Sequence, residues 1–182
     1  IDIGGLFGKA SGGTITHSYY NGKIILEQYP RLASYSDMIL RAGGFIGHTN
    51  NIEKILYSVS RCSEISIERP NWDRQNNSAS EPEVYAGGFI GWVDNNNDMR
   101  YCMSQCDLIN IVSYGFPFFT NTQAKLGSLV AYLRNASALG QYAYNKTTNC
   151  LGILKSLTVE LDRLDFYFYV NNCTWKNSNF CN

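Results

Sequence analysis

A glycine phrase returns along this chain: Gly4-Gly5-Leu6-Phe7-Gly8, Gly43-Gly44-Phe45-Ile46-Gly47 and Gly87-Gly88-Phe89-Ile90-Gly91. A fainter copy follows at Gly127-Ser128-Leu129-Val130-Ala131. The copies begin roughly 40 residues apart, a period that marks solenoids and arrays. The likeness extends beyond the glycines. Ser18-Tyr19-Tyr20, Tyr57-Ser58, Tyr101-Cys102 and Tyr142-Ala143-Tyr144 follow at similar distances, and Ile24-Ile25-Leu26, Ile65-Ser66-Ile67, Leu108-Ile109-Asn110-Ile111 and Ile153 follow those. Each unit therefore reads as a small-apolar strand, a polar Asn/Gly turn, an apolar-Tyr-Ser strand and a short alternating strand.

Short strands separated by Asn, Gly and Ser suit a coil of parallel β-structure. Glycine pairs permit tight corners and close backbone approach. Coil on coil, Phe45 and Phe89 fall in one ladder and Tyr57 and Tyr101 in another. One coil cannot bury its own apolar side, so its neighbours supply the core. The expected fold is all-β: a parallel β-solenoid of about four coils over 1–152, with long inter-coil loops, and a C-terminal strand and disulfide-closed cap over 153–182. A β-sandwich whose glycines merely mark turns is the alternative.

The pattern resembles the GLUG-motif repeat, a Gly-Leu-uncharged-Gly core set in a longer unit. The matching segments are Gly4 to Ile25, Gly43 to Ile67, Gly87 to Ile111 and, loosely, Gly127 to Ile153, about half the chain. The resemblance implies β-solenoid segments of large secreted or surface-anchored proteins, often adhesins and surface-protease accessory regions. It brings no catalytic residues. The chain departs from the pattern where the fourth copy loses two glycines and where insertions at 68–86 and 112–125 stretch the units.

Fifteen basic residues balance fifteen acidic ones. No sequence-independent attraction to nucleic acid or an anionic membrane is expected from that balance. No apolar run approaches the ~20 residues a spanning helix needs, so direct membrane insertion is not expected either. The chain opens without an initiator Met or signal peptide, so a mature form or an excised piece of something longer is expected. The six cysteines, Cys62, Cys102, Cys106, Cys150, Cys173 and Cys181, form an even set without a CxxC metal pair. Cys62 and Cys106 hold the same place in their units, which puts a bridge between stacked coils within reach. Cys173 and Cys181 can close a terminal loop around Trp175. Burial as small apolar residues is the competing reading. Asn76, Asn135, Asn145 and Asn172 begin N-glycosylation triplets, meaningful only in a eukaryotic secretory pathway. Together these features predict a secreted or cell-surface glycoprotein.

The search for chemistry is unproductive, and no catalytic residue, metal or cofactor is expected. His17 and His48 hold non-equivalent positions and read as surface histidines. Asp94-Asn95-Asn96-Asn97-Asp98 imitates the opening of a calcium loop, but Met99 stands where the sharp-turn glycine belongs. The carboxylate pairs Glu81/Glu83 and Asp162/Asp165 have no partner that singles them out. Segment 124–133 carries Leu126, Leu129, Val130 and Leu133 at helical spacing, so a helix competes there with a fourth coil. Tyr114, Phe116 and Phe118, with Phe166 and Phe168 in the tail, form the expected interaction surface. Two functions follow. One is a structural or adhesive module that associates with like subunits or other surface proteins and can form filaments. The other is a carbohydrate-binding or polysaccharide-cleaving β-helix, with Trp92, Tyr114 and Phe116 stacking on sugar rings.

Overall fold

The structure is a computed structural model that describes residues 1–27, 39–70, 83–94, 97–114, 122–134, 145–161 and 164–168. Of these, 69–70, 97, 113–114, 122–123, 133–134, 145–148, 160–161 and 164–168 are described through their backbone alone. The described residues are all-β. Their strands run in four tiers of four. The first tier is β1 (Asp2–Gly4), β2 (Phe7–Ser11), β3 (Thr14–Thr16) and β4 (Tyr19–Glu27). The second is β5 (Ile39–Gly43), β6 (Ile46–Asn50), β7 (Lys54–Leu56) and β8 (Val59–Pro70). The third is β9 (Glu83–Gly87), β10 (Ile90–Asp94), β11 (Asn97–Arg100) and β12 (Met103–Tyr114). The fourth is β13 (Thr122–Gly127), β14 (Val130–Arg134), β15 (Asn145–Thr148) and β16 (Leu151–Leu161), followed by β17 (Leu164–Phe168).

Every strand pairs in parallel with its counterpart one tier away. Among the described residues this gives four sheets, ordered β1-β5-β9-β13-β17, β2-β6-β10-β14, β3-β7-β11-β15 and β4-β8-β12-β16. In-register parallel pairing makes each repeat position a ladder. The Phe45 and Phe89 rings stack at 4.5 Å, and those of Tyr57 and Tyr101 at 5.0 Å, as the repeat alignment predicts.

Two apolar cores run along the tiers. In the first, Leu40, Ala42, Val84, Ala86, Ala124 and Leu126 of the first sheet face Ile65, Ile67, Ile109 and Ile111 of the fourth. In the second, Phe45, Ile46, Phe89, Ile90, Leu129 and Val130 around the glycine bends meet Ile55 and Met99 of the third sheet. At about 25 cal/mol per Å² of apolar area, these continuous ladders are the main stabilising term.

The glycine phrase is a bend between two strands, so each unit has four strands rather than three. Here the first sheet comes against the fourth with almost no side-chain volume between them. A Cβ on Gly44 would lie 2.8 Å from Ser60 Oγ, and one on Gly88 would lie 2.5 Å from Ser104 Oγ and run into the Ser128 carbonyl. The fourth tier solves the same problem in reverse. Ser128 replaces the glycine, and Gly152 replaces the serine that pairs in register with it, Ser104. A Cβ on Gly152 would lie 2.7 Å from Ser128 Oγ and 2.8 Å from both the Leu129 nitrogen and the Ser128 carbonyl carbon. The degenerate fourth copy is thus a size exchange between facing positions.

Three sequence expectations change. Segments 68–86 and 112–125 are not loops throughout, because their ends belong to β8, β9, β12 and β13. No helix forms over 124–133. Ala124 and Leu126 alternate inward around Lys125, and pairing of β13 with β9 and of β14 with β10 overrides the helical spacing. The boundary between 152 and 153 falls inside β16, which pairs with β12 from Leu151 to Leu161, so the repeating sheets continue past it.

Gly88→Ala is expected to lower stability by about 2–4 kcal/mol, since the Ser128 carbonyl in its way is backbone and cannot turn aside. Gly152→Ser is expected to cost about 1–3 kcal/mol in the native chain and at least about 1 kcal/mol less in a Ser128→Gly background. Urea unfolding of the four-member cycle reads this coupling directly.

Candidate functional site

The residues with chemical capacity gather where the first two sheets face each other outside the apolar cores. Strand alternation turns Arg41, Tyr85 and Lys125 away from Leu40, Val84 and Leu126, and register stacks them beneath Asp2. Across the bend, Lys9, His48, Trp92 and Tyr132 form the facing ladder. Cations and aromatic rings interleave. The Arg41 guanidinium lies 4.6 Å from the Trp92 ring centre, and Lys125 Nζ lies 4.5 Å from that of Tyr132 and 5.2 Å from that of Tyr85. Trp92 meets Tyr85 edge-on at 4.5 Å and Tyr132 at a tilt, also at 4.5 Å. Cation–π pairs of this kind strengthen as water is excluded.

Two carboxylates organise the polar end. Arg41 Nη1 donates to Asp2 Oδ1 at 2.8 Å, and Trp92 Nε1 donates to Asp94 Oδ1 at 2.7 Å. His48 lies between them, with Nε2 at 3.0 Å from Asp94 Oδ2 and Nδ1 at 3.5 Å from Asp2 Oδ2. The longer approach is not a hydrogen bond, and His48 Nδ1 has no hydrogen-bond partner. Burial acts to raise the Asp2 carboxyl, but the hydrogen bond and charge of Arg41 outweigh it and hold the group below its ordinary range. The Tyr85 hydroxyl, which donates to Glu83, is pushed far up by burial and by that carboxylate.

This arrangement overturns two expectations. His48 is not a surface histidine. It is 5% exposed and set between two carboxylates, because its strand face turns into the notch. Trp92 offers no face to a sugar: it is 5% exposed, and Tyr85 beside it is 1% exposed. The signal was present in the sequence. Arg41/His48, Tyr85/Trp92 and Lys125/Tyr132 bracket the glycine phrase at the same offsets in each copy. Asp94 and Asp98, the ends of the calcium-like stretch, are engaged by Trp92 and His48 and by a two-point contact from Arg100. Among the described residues no group of three or more His, Cys, Asp or Glu side chains could hold a metal ion.

A second surface lies at the corner between the third and fourth sheets. His17, Tyr57, Tyr101 and Asn149 all take the left-handed conformation, with φ of 49°, 51°, 54° and 53°. The next residue caps the turn in three tiers: Ser18, Ser58 and Cys102 each donate to the carbonyl two residues back. His17 stacks on Tyr57 at 5.0 Å and Tyr57 on Tyr101 at 5.0 Å. Tyr57 and Tyr101 remain 50% and 49% exposed. The left-handed backbone costs a tyrosine about 1–2 kcal/mol, so mutual stacking must offset it.

The structure brings Cys62 beside Cys106 in register, and Cys102 beside Cys150 at the corner. Cys173, Cys181, Asn76, Asn135, Asn172, Phe116, Phe118, Glu81 and Asp162 lie outside the described residues. Asn145 opens β15, Tyr114 closes β12, and Phe166 and Phe168 in β17 pair in register with Ala124 and Leu126. Among the described residues no helix is long and apolar enough to cross a membrane. No protein-family model, curated protein or solved structure matches this chain.

Because the folded Asp2 carboxyl lies below its unfolded value of about 3.9, its contribution is present above that pH and lost as pH falls through the folded value. Arg41→Met should therefore cost about 1–3 kcal/mol at neutral pH, and distinctly less near pH 3, where Asp2 is protonated in the variant. Urea midpoints at the two pH values check this. Equal losses at both would remove the charge argument.

Proposed function

We propose that this chain is a β-solenoid segment serving as an extracellular structural or adhesive repeat module, without catalysis of its own. The carrying observation is that the polar and aromatic groups of the notch are engaged with one another as ladders, leaving their acids and rings little freedom to act on a substrate. The GLUG-like phrase, the cysteines and the glycosylation triplets support a secreted or cell-surface setting. Tier-wise parallel pairing in all four sheets supports the solenoid reading over the sandwich, whose sheets are antiparallel.

The first tier suggests how such a module engages like subunits. Leu6 and Phe7 occupy the positions that are Phe45 and Ile46 one tier on, yet they are exposed, as are Ile1 and Tyr19. Open strand edges on this tier can template a further tier, whether from a like subunit or from chain ahead of Ile1. Purified chain should form end-to-end assemblies that grow with concentration in sedimentation velocity and appear elongated in electron micrographs. Phe7→Lys should reduce them to monomer, because a charge is placed at the end of the apolar ladder that runs on through Ile46, Ile90 and Val130. A native chain that stays monomeric at every concentration sinks the self-association part of this reading.

The alternative, a carbohydrate-binding protein, draws on the exposed His17–Tyr57–Tyr101 stack. Its rings are held in a strained conformation at the surface, where aromatic edges and hydroxyls can meet a glycan. Tyr57→Asn/Tyr101→Asn suits the left-handed corner and should leave stability within about 1 kcal/mol. If native chain binds glycans on an array and this variant does not, the carbohydrate reading replaces the structural one.

A further inference from the structure

We infer that the four described cysteines form two bridges between tiers, Cys62–Cys106 and Cys102–Cys150, which tie the second, third and fourth tiers into one covalent unit. Cys62 and Cys106 are Cα partners in the parallel pair β8–β12. Both are buried in the core between the first and fourth sheets. Parallel partners stand about 4.8 Å apart, inside the range of roughly 4.4–6.8 Å that a disulfide spans.

Cys102 and Cys150 stand in the same relation at the corner. The Leu151 N–H donates to the Cys102 carbonyl at 3.0 Å, and the residues that follow, Met103 and Leu151, are register partners. The Cys102 thiol reaches the Ile55 carbonyl at 3.4 Å, and the Cys150 thiol reaches that of Met99 at 3.4 Å. Ile55 and Met99 are themselves partners, so both thiols point the same way, one tier apart. Cys102 and Cys106, though close in sequence, face different cores and are not a pair.

The distribution of cysteine argues against simple filling. Along the fourth sheet the ladder reads Gly22, Cys62, Cys106, Leu154, and along the corner it reads Ser18, Ser58, Cys102, Cys150. In both, cysteine occurs only in adjacent tiers, although serine caps the corner equally well in the first two. A small apolar filler has no need of a neighbour of its own kind. The hydrogen bond from Cys106 holds the folded Cys62 thiol below its ordinary value, so the two sulfurs face each other.

The chemistry balances with a small-molecule disulfide as oxidant. The Cys62 thiolate attacks glutathione disulfide and releases one glutathione thiolate. Cys106 then displaces the second glutathione from the mixed disulfide. Two protein thiols are oxidised, two glutathione thiols are produced, and the two protons pass to them. The same exchange joins Cys102 and Cys150. Because these sulfurs are enclosed once the tiers close, the bridges form as the tiers stack.

The test supplies its own oxidant and so stands apart from the extracellular reading. Full chain is reduced, unfolded and refolded in a mixture of reduced and oxidised glutathione, and remaining thiols are blocked with N-ethylmaleimide. Cyanogen bromide cuts after Met103, which separates Cys102 from Cys106, and trypsin completes the digest. Mass spectrometry should find peptide 62–74 joined to 104–125, and 101–103 joined to 147–155. Blocked thiols at all four positions, a Cys102–Cys106 link, or links from these four to Cys173 or Cys181 would overturn the assignment. The refolded chain should also melt several degrees higher than the same chain in dithiothreitol. Cys62→Ser/Cys106→Ser should lose part of that difference, and an unchanged melting temperature would refute the locking role.

Discussion

Backbone-to-backbone contact at the glycine bend is the constraint on which this architecture rests. Sheets that meet at Gly44 and Gly88 leave room for a serine hydroxyl and nothing larger. With so little separation, the chain turns sharply between its first two strands, and Phe45 and Phe89, each just after a glycine pair, are directed into the second core. The same bend throws Arg41, Tyr85 and Lys125 onto the face opposite His48, Trp92 and Tyr132. Apolar core and ionic notch both follow from one close approach, while parallel backbone pairing sets the tier spacing.

Stacking multiplies whatever one tier does. A left-handed corner costs an L-residue energy once in an ordinary protein, but here it recurs at Tyr57 and Tyr101, and rings held at 5.0 Å return some of that cost. The fourth tier shows that repetition binds contacts rather than residues. Ser128 and Gly152 exchange sizes, and the sheets keep their separation. A tier can thus drift in sequence while its interface stays constant.

Much of this was legible because the glycine phrase, Tyr57/Tyr101 and Cys62/Cys106 recur at matched offsets, and in-register stacking converts offset into contact. The strand ahead of each glycine pair was harder to see. Ile39–Gly43 and Glu83–Gly87 share little beyond alternation, so the unit looked shorter than it is. His48 was misjudged for a related reason. Its partners Asp2 and Asp94 belong to other tiers, and nothing local announces them. Trp92 as a sugar-stacking ring fails similarly, because the face it occupies is decided by the bend behind it.

Register in such a structure needs more than apolar ladders. A slip of two residues keeps every apolar side chain on its own face, so burial alone resists it weakly. Charge completes the specification. In the third sheet Lys54 stands opposite Asp98, and Asp98 opposite Lys146. In the fourth, Lys23 stands opposite Glu64. In the first, Asp2 stands opposite Arg41, after which a ring, Tyr85, separates Arg41 from Lys125. Sliding β7 by two positions would set Lys54 against Arg100, exchanging an attraction for a repulsion between direct neighbours. Apolar ladders therefore hold the tiers together, and these opposite-charge neighbours favour the observed register, even though Glu27 stands opposite Glu68 in the fourth sheet.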